Sequence, residues 1–134
     1  MKKKTLIILA VVLVIILGVI IGAKLFMNSI EANMKELTVL TIPNVDITNA
    51  EDGTYEGSYE VFPVAAKVKV TLENHKIKAI ELIEHKNGQG KAAEVLPDKV
   101  VEAQTLDVDI VSGATYSSKV ILKAIENALN SADK

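Results

Sequence analysis

The chain has no cysteine, no tryptophan and no arginine, and only five of its 134 residues are Phe or Tyr. Without cysteine there is no disulfide, thiolate metal site, iron–sulfur cluster, cysteine nucleophile or lipidated N-terminal Cys. Redox chemistry, if the chain performs any, has to come from a cofactor. A haem C-x-x-C-H and a nicotinamide G-x-G-x-x-G are absent as well. Positive charge is scarce beyond the first segment. All fifteen basic residues are lysine, and Lys2, Lys3, Lys4 and Lys24 account for four of them. Residues 25–134 therefore carry 11 Lys against 17 acids, a balance of −6 that makes a poor nucleic-acid binder. The two histidines, His75 and His85, make no metal site without further ligands. No G-x-S-x-G elbow exists and neither histidine stands in a triad context, which argues against a serine hydrolase.

What the chain does have is a long apolar run. Leu6 to Ala23 are eighteen consecutive residues without a charged or polar side chain, about 27 Å as a helix and close to the thickness of a bilayer core. Three lysines precede the run and Lys24 follows it, so the positive-inside rule expects a cytoplasmic N-terminus with the rest of the chain outside. The competing reading is a cleaved signal peptide, for which Ile21-Gly22-Ala23 is a marginal cleavage site. Gly18 and Gly22 form a GxxxG pair that lets two membrane helices approach, the basis for a weak-dimer expectation, although glycine is common in such helices. The length fits a single domain. The expected division is an anchor over 1–25, an extracytoplasmic stalk over 26–43 and a folded domain over 44–134.

Within that domain, Thr54 to Val61 reads as a strand. Ala66 to Leu72 alternates Val68, Val70 and Leu72 with Lys67, Lys69 and Thr71, the period of a half-buried strand. Glu73-Asn74-His75-Lys76 supplies a reversal into a strand over Ile77 to Ile83, where Ile77 is out of phase with Ile80 and Leu82 and implies a bulge or a strong twist. After Asn87-Gly88-Gln89-Gly90 the period becomes helical, and Pro97 splits the stretch into two short helices. Val120/Ile121, Ala124/Ile125 and Ala128/Leu129 then recur every four residues, an amphipathic helix that leaves Lys119, Lys123 and Glu126 to solvent. The expected class is α+β, an antiparallel sheet packed with helices on one side and preceded by one transmembrane helix.

The most informative stretch precedes that last helix: Asp109-Ile110-Val111-Ser112-Gly113-Ala114-Thr115-Tyr116-Ser117-Ser118. A small Ser-Gly-Ala turn feeding a helix N-terminus offers unpaired N–H groups and the positive end of the helix dipole to an anion such as phosphate. The alternative is that Ser112, Thr115 or Ser117 simply caps the helix. Spacing alone does not separate the two.

The same residues resemble a known family. Asp109-x-x-Ser112-Gly113-Ala114-Thr115 is similar to the D-x-x-S/T-G-A-T flavinylation motif of the FMN-binding domain family, which includes subunits of the Rnf complex and of the sodium-pumping NADH:quinone reductase. Asp52-Gly53-Thr54-Tyr55-Glu56-Gly57 resembles the family's opening D-G-x-Y-x-G. The Val68 to Ile83 hairpin and the run from Gln104 to Thr115 resemble its later parts, so that the likeness covers residues 44–131. It implies FMN joined by a phosphoester to Thr115, transferred from FAD by a separate Mg-dependent FAD:protein FMN transferase outside the cytoplasmic membrane. Ser112, Gly113, Ala114, Asp109, Tyr116, Ser117, Ser118 and His85 would be cofactor-binding residues, with no catalytic residue and no metal ligand. Gly113 and Asp109 also suit an ordinary tight turn, and for Tyr116, Tyr55 and Tyr59 packing competes with flavin stacking. His85 is read equally as a flavin neighbour or a surface-loop residue. The implied function is a membrane-anchored electron carrier relaying between donor and acceptor proteins or quinones, a stand-alone member of the kind used in extracellular electron transfer. The alternative is a non-redox anchored module that binds phosphate at a helix N-terminus.

Overall fold

The computed structural model describes residues 2–86 and 88–133; Asn87, in the turn expected after the third strand, lies outside the described residues. Two compact units divide the chain, one up to Ala32 and one from Asn33 onward. The first unit is part of a single helix, α1 (Lys2–Val39), which is long and apolar enough to cross a membrane. A signal sequence meets the same description. Leu6 and Leu13 are 70% and 68% exposed along it, in a continuous apolar surface far larger than water-soluble proteins leave uncovered.

The second unit opens with the end of α1, where Leu37 is fully buried. Leu40, Ile42, Val45 and Ile47 then pack against the core as an irregular segment, and Ala50 is buried at its end. Three strands follow as an antiparallel meander: β1 (Gly53–Val61), β2 (Val64–Glu73) and β3 (Lys76–Lys86), in the order β1-β2-β3. The β2–β3 reversal is a two-residue turn with Asn74 at φ 54° and His75 at φ 57°, the left-handed pair that matches the twist of a hairpin. Asp52 accepts the Asn74 N–H at 2.8 Å and ties this turn to the start of β1. The expected bulge is present. Leu72 pairs with Ile77 and Thr71 with Ala79, so Lys78 is the extra residue, and a second shift at Lys67/Val68 leaves Ile83 unpaired and exposed.

A 3₁₀ helix (Lys91–Val95) runs directly into α2 (Leu96–Ala103), with Pro97 in the first turn, where its missing N–H costs nothing. The last helix, α3 (Thr115–Ala132), lies across one face of the sheet against β1 and β2, while α2 packs on β3. Val68, Val70 and Leu72 meet Val120, Ile121, Ile125 and Leu129 in a single core. The opposite face of the sheet carries charges, among them Lys67 and Glu56 at 2.8 Å. That ammonium holds the Glu56 carboxyl below its usual range.

The stripe on α3 is wider than its four-residue period implies. Leu122 and Glu126 are also buried, and Glu126 is paired with Lys123 at 2.7 Å. Lys119 is not given to solvent either, since its ammonium donates to the Thr38 and Leu40 carbonyls at 2.8 Å each. The cause is the segment at the end of α1, whose last carbonyls need donors and find one on α3. Gln104 is a further clasp. It ends α2 in the left-handed region (φ 56°), and its side-chain amide accepts the Ile77 N–H at 2.9 Å and donates to the Ile77 carbonyl at 2.8 Å. One side chain thus satisfies both backbone groups of an edge-strand residue.

Candidate functional site

Val111 to Ala114 form a closed turn in which the Ala114 N–H donates to the Val111 carbonyl at 3.0 Å and Gly113 has φ +79°. A positive φ at the third position of such a turn is the type II geometry that glycine occupies without strain. Ser118 locks the turn from behind. Fully buried, its Oγ accepts the Val111 N–H at 3.1 Å and donates to the Ala114 carbonyl at 2.7 Å.

Helix α3 therefore begins at Thr115 with Ala114 as its cap residue, and no side chain caps it. Ala114 has no oxygen to offer, and the first helical bond is Ser118 N–H to Ala114 O at 2.8 Å. The amides of Thr115, Tyr116 and Ser117 belong to the first turn, where a helix has donors without intrahelical acceptors. Neither Ser112, Thr115 nor Ser117 acts as the N-cap. The uncapped turn opens on a cavity of about 460 Å³ lined by Thr38, Val64, Gln89, Gly90 and the run Gly113 to Ser117, within the size range of small-molecule sites. Donor amides and the helix dipole together favour an anionic group here.

Of the residues expected at the site, Gly113, Ala114, Thr115, Tyr116 and Ser117 line this cavity. Thr115 is half-buried and Tyr116 is 41% exposed. Tyr55 and Tyr59 instead pack against the core, with Tyr55 donating its O–H to the Glu51 carbonyl at 2.9 Å. Ser112 is exposed on the turn, and Ser118 faces inward. Asp109 stands apart, in a shallow depression with Lys99, Glu102 and Asp107. Thr38, Val64 and Gln89 were not among the expected site residues. Thr38 comes from the end of α1, and nothing in the local pattern of that helix marks it.

His85 is neither on a loop nor at the surface. It sits on β3 with its side chain 2% exposed, Nδ1 3.0 Å from Glu94 Oε1 and Nε2 2.9 Å from Ser117 Oγ. A Ser–His–Glu series thus exists where the sequence offers no triad context. Ser117 is buried within the first turn of α3 rather than presented at an elbow, so the series reads as a hydrogen-bond relay behind the cavity.

Gly113 matters through its backbone. An added Cβ would meet nothing within 4 Å, yet φ is +79°. Gly113→Ala should cost about 1–2 kcal/mol and lower Tm by several degrees, while Gly113→Asn, which tolerates the left-handed region, should recover much of that loss. Thermal melts compare the two; equal losses would locate the cost outside φ.

Comparison with known proteins places this geometry. The FMN-binding domain model matches residues 63–130, from the start of β2 through most of α3. An uncharacterised protein of Treponema pallidum is 33% identical over 82 residues, 59% of this chain and 23% of that protein. An NADH:acrylate oxidoreductase of Vibrio harveyi is 37% identical and a urocanate reductase of Eggerthella lenta 36% identical, each over 66 residues or 47% of this chain, and these regions are 7% and 11% of the two enzymes. The chain thus spans less than a quarter of the length of each of these relatives. With half of its residues matched by the family model, and with β2, β3, α2 and most of α3 inside the match, the chain belongs to the FMN-binding domain family.

Proposed function

We propose that this protein is an electron carrier in which FMN is joined through its phosphate to Thr115 Oγ, the domain being held by α1 on the outer side of a cytoplasmic membrane. The observation that carries the reading is the placement of Thr115. Its hydroxyl-bearing side chain is the first of α3, at an uncapped helix N-terminus facing a cavity large enough for an aromatic cofactor. The residues fit the group: three first-turn amides suit a phosphate, the lack of an oxygen on Ala114 leaves them to it, and Tyr116 offers an aromatic face at the rim. Bound there, FMN would supply a centre that accepts and returns electrons.

Attachment from FAD breaks the pyrophosphate bond, joins the FMN phosphorus to Thr115 Oγ and releases AMP, with the hydroxyl proton passing to the medium. A separate transferase performs this step. Ser112 on the turn and Asp109 two residues before it are both exposed, where that enzyme would recognise its substrate. A covalent bond also keeps the cofactor from diffusing away in an open compartment. The matched regions of an oxidoreductase and a reductase support a redox role, although donor and acceptor belong to partners outside this chain.

Two measurements test the reading. Intact mass after co-expression with an FAD:protein FMN transferase should show the chain with Lys2–Val39 retained and heavier by one FMN less water; an unmodified mass overturns covalent attachment. Protease added to intact spheroplasts should digest the domain. Survival there, followed by cleavage after lysis, overturns the outward placement.

A further inference from the structure

The relay behind the cavity has a direction, and its chemistry sets that direction. Glu94 as a carboxylate can only accept a hydrogen bond, so His85 Nδ1, 3.0 Å away, carries a proton. Nε2 then has two states. In the neutral ring it is an acceptor and takes the Ser117 hydroxyl proton across 2.9 Å, which leaves only lone pairs on Ser117 Oγ for other partners. In the imidazolium it is a donor, gives Nε2–H to Ser117 Oγ, and releases the Ser117 O–H to point elsewhere. Ser117 lines the cavity at the first turn of α3. An anion there wants donors and is repelled by lone pairs.

We propose that His85 is a proton-linked positioning residue: occupation of the cavity by a phosphate group draws a proton onto His85, and the imidazolium turns the Ser117 hydroxyl from acceptor to donor toward that phosphate. The proposal rests on the phosphate-at-Thr115 reading above. No bond is made or broken except to the proton, which comes from solvent and resides on Nε2. Among the described residues, Glu94 of the 3₁₀ helix and Ser117 of α3 hydrogen-bond the ring, α3 brings the positive end of its dipole, and β2 pairs its backbone with the strand at Ala66, opposite His85. The neighbouring charges on β3, Glu84 and Lys86, pair with each other at 3.4 Å. Lys119 is engaged by the Thr38 and Leu40 carbonyls. Glu94 is thus the anionic partner that holds the imidazolium, while the helix end alone would oppose it. The balance shifts toward the charged ring when a second negative group enters the cavity.

The chain has two histidines, so long-range ¹⁵N–¹H correlation of histidine-labelled full-length protein in detergent micelles reads each ring directly, with exposed His75 as the internal reference. At one pH near neutrality, the unflavinylated protein should show His85 as the neutral Nδ1–H tautomer, and the flavinylated protein should show both nitrogens protonated. Ser117→Ala, loaded with flavin, should lose the protonated form, because the hydroxyl that links the ring to the phosphate is gone. Glu94→Gln is the second variant. Its amide can donate to Nδ1, so the loaded protein should show a neutral Nε2–H ring, which delivers the same hydrogen bond to Ser117 without a proton from solvent. The same protonation state with and without flavin overturns the proposal, as does retention of the doubly protonated ring in the Ser117→Ala protein. Intact mass taken on the same samples separates the two levels: an unmodified mass defeats the Thr115 reading, whereas full loading with an unchanged His85 defeats only the relay.

Discussion

Thr115→Val should abolish covalent flavin while leaving the domain folded. Valine keeps the β-branched shape, so the start of α3 and the wall of the cavity are preserved, and only the nucleophilic oxygen is removed. Thr115 is half-buried and no hydrogen bond ties its hydroxyl to another described residue, so the stability change should stay within about 0.5–1 kcal/mol. In-gel flavin fluorescence after co-expression with the transferase should fall to background. Ser112→Ala should remain fluorescent, since that side chain is exposed and outside the cavity. Ser118→Ala should remain fluorescent too, but with a lower Tm, because its hydroxyl both accepts from Val111 and donates to Ala114 within a fully buried setting; loss of one such buried group costs about 1–3 kcal/mol. Fluorescence retained in Thr115→Val and lost in Ser117→Ala would move the attachment site by two residues along the same helix turn.

How much of this was legible beforehand differs by element, for physical reasons. The three strands, the β2–β3 hairpin, the bulge near Ile77, the two-part helix around Pro97 and the amphipathic last helix all follow from local periodicity and turn chemistry, which act over a few residues. The turn before α3 was legible as the start of a helix, either open to an anion or capped by a side chain. Whether it was capped was not, because capping depends on where Ser118 points, and that hydroxyl turns back toward Val111 rather than out. Long-range partners left no trace in the sequence pattern. A folded unit beginning near Asn44 follows from composition, yet the compact unit starts at Asn33, with Leu37 fully buried and Thr38 on the cavity wall. Those residues end a helix whose preceding turns mix Glu31, Asn33, Lys35 and Glu36 with isolated apolar side chains, so a single leucine there carries no distinguishing signal. Lys119 and Glu126 looked solvated because a helix period sees one buried face, whereas α3 is covered on a second side. His85 was ambiguous for the same reason: its partners, Glu94 and Ser117, come from two other elements.

Gly57 should be the position least tolerant of added bulk. It lies in the middle of β1, opposite Val68, where α3 crosses the sheet. A Cβ built there would stand 2.1 Å from the Ala124 carbonyl oxygen, 2.4 Å from the Ala128 nitrogen and 2.8 Å from the Ala128 Cβ. The two nearest atoms are helix backbone, which has no rotamer to change, so the whole helix must move away from the strand. Overpacking of a core commonly costs about 1–3 kcal/mol and sometimes more, and the contact here falls at the upper end because α3 is packed along its full length. A domain of this size holds only about 5–15 kcal/mol in total. Gly57→Ala should therefore lower Tm by about 10–20 °C, at roughly 4–8 °C per kcal/mol, and Gly57→Val should leave the domain unfolded. Gly53→Ala is the control. Its Cβ would meet the Tyr55 side chain first, at 3.4 Å or more, and the melting point should change little. Because displacement of α3 also displaces Thr115 and the first-turn amides, Gly57→Ala should load less flavin even at temperatures where it is folded. Melts followed by circular dichroism on the full chain in micelles, alongside flavin fluorescence, check both effects. A Gly57→Ala protein that melts with the parent would mean that β1 and α3 are not in backbone contact, and the position assigned to the helix N-terminus would fall with it.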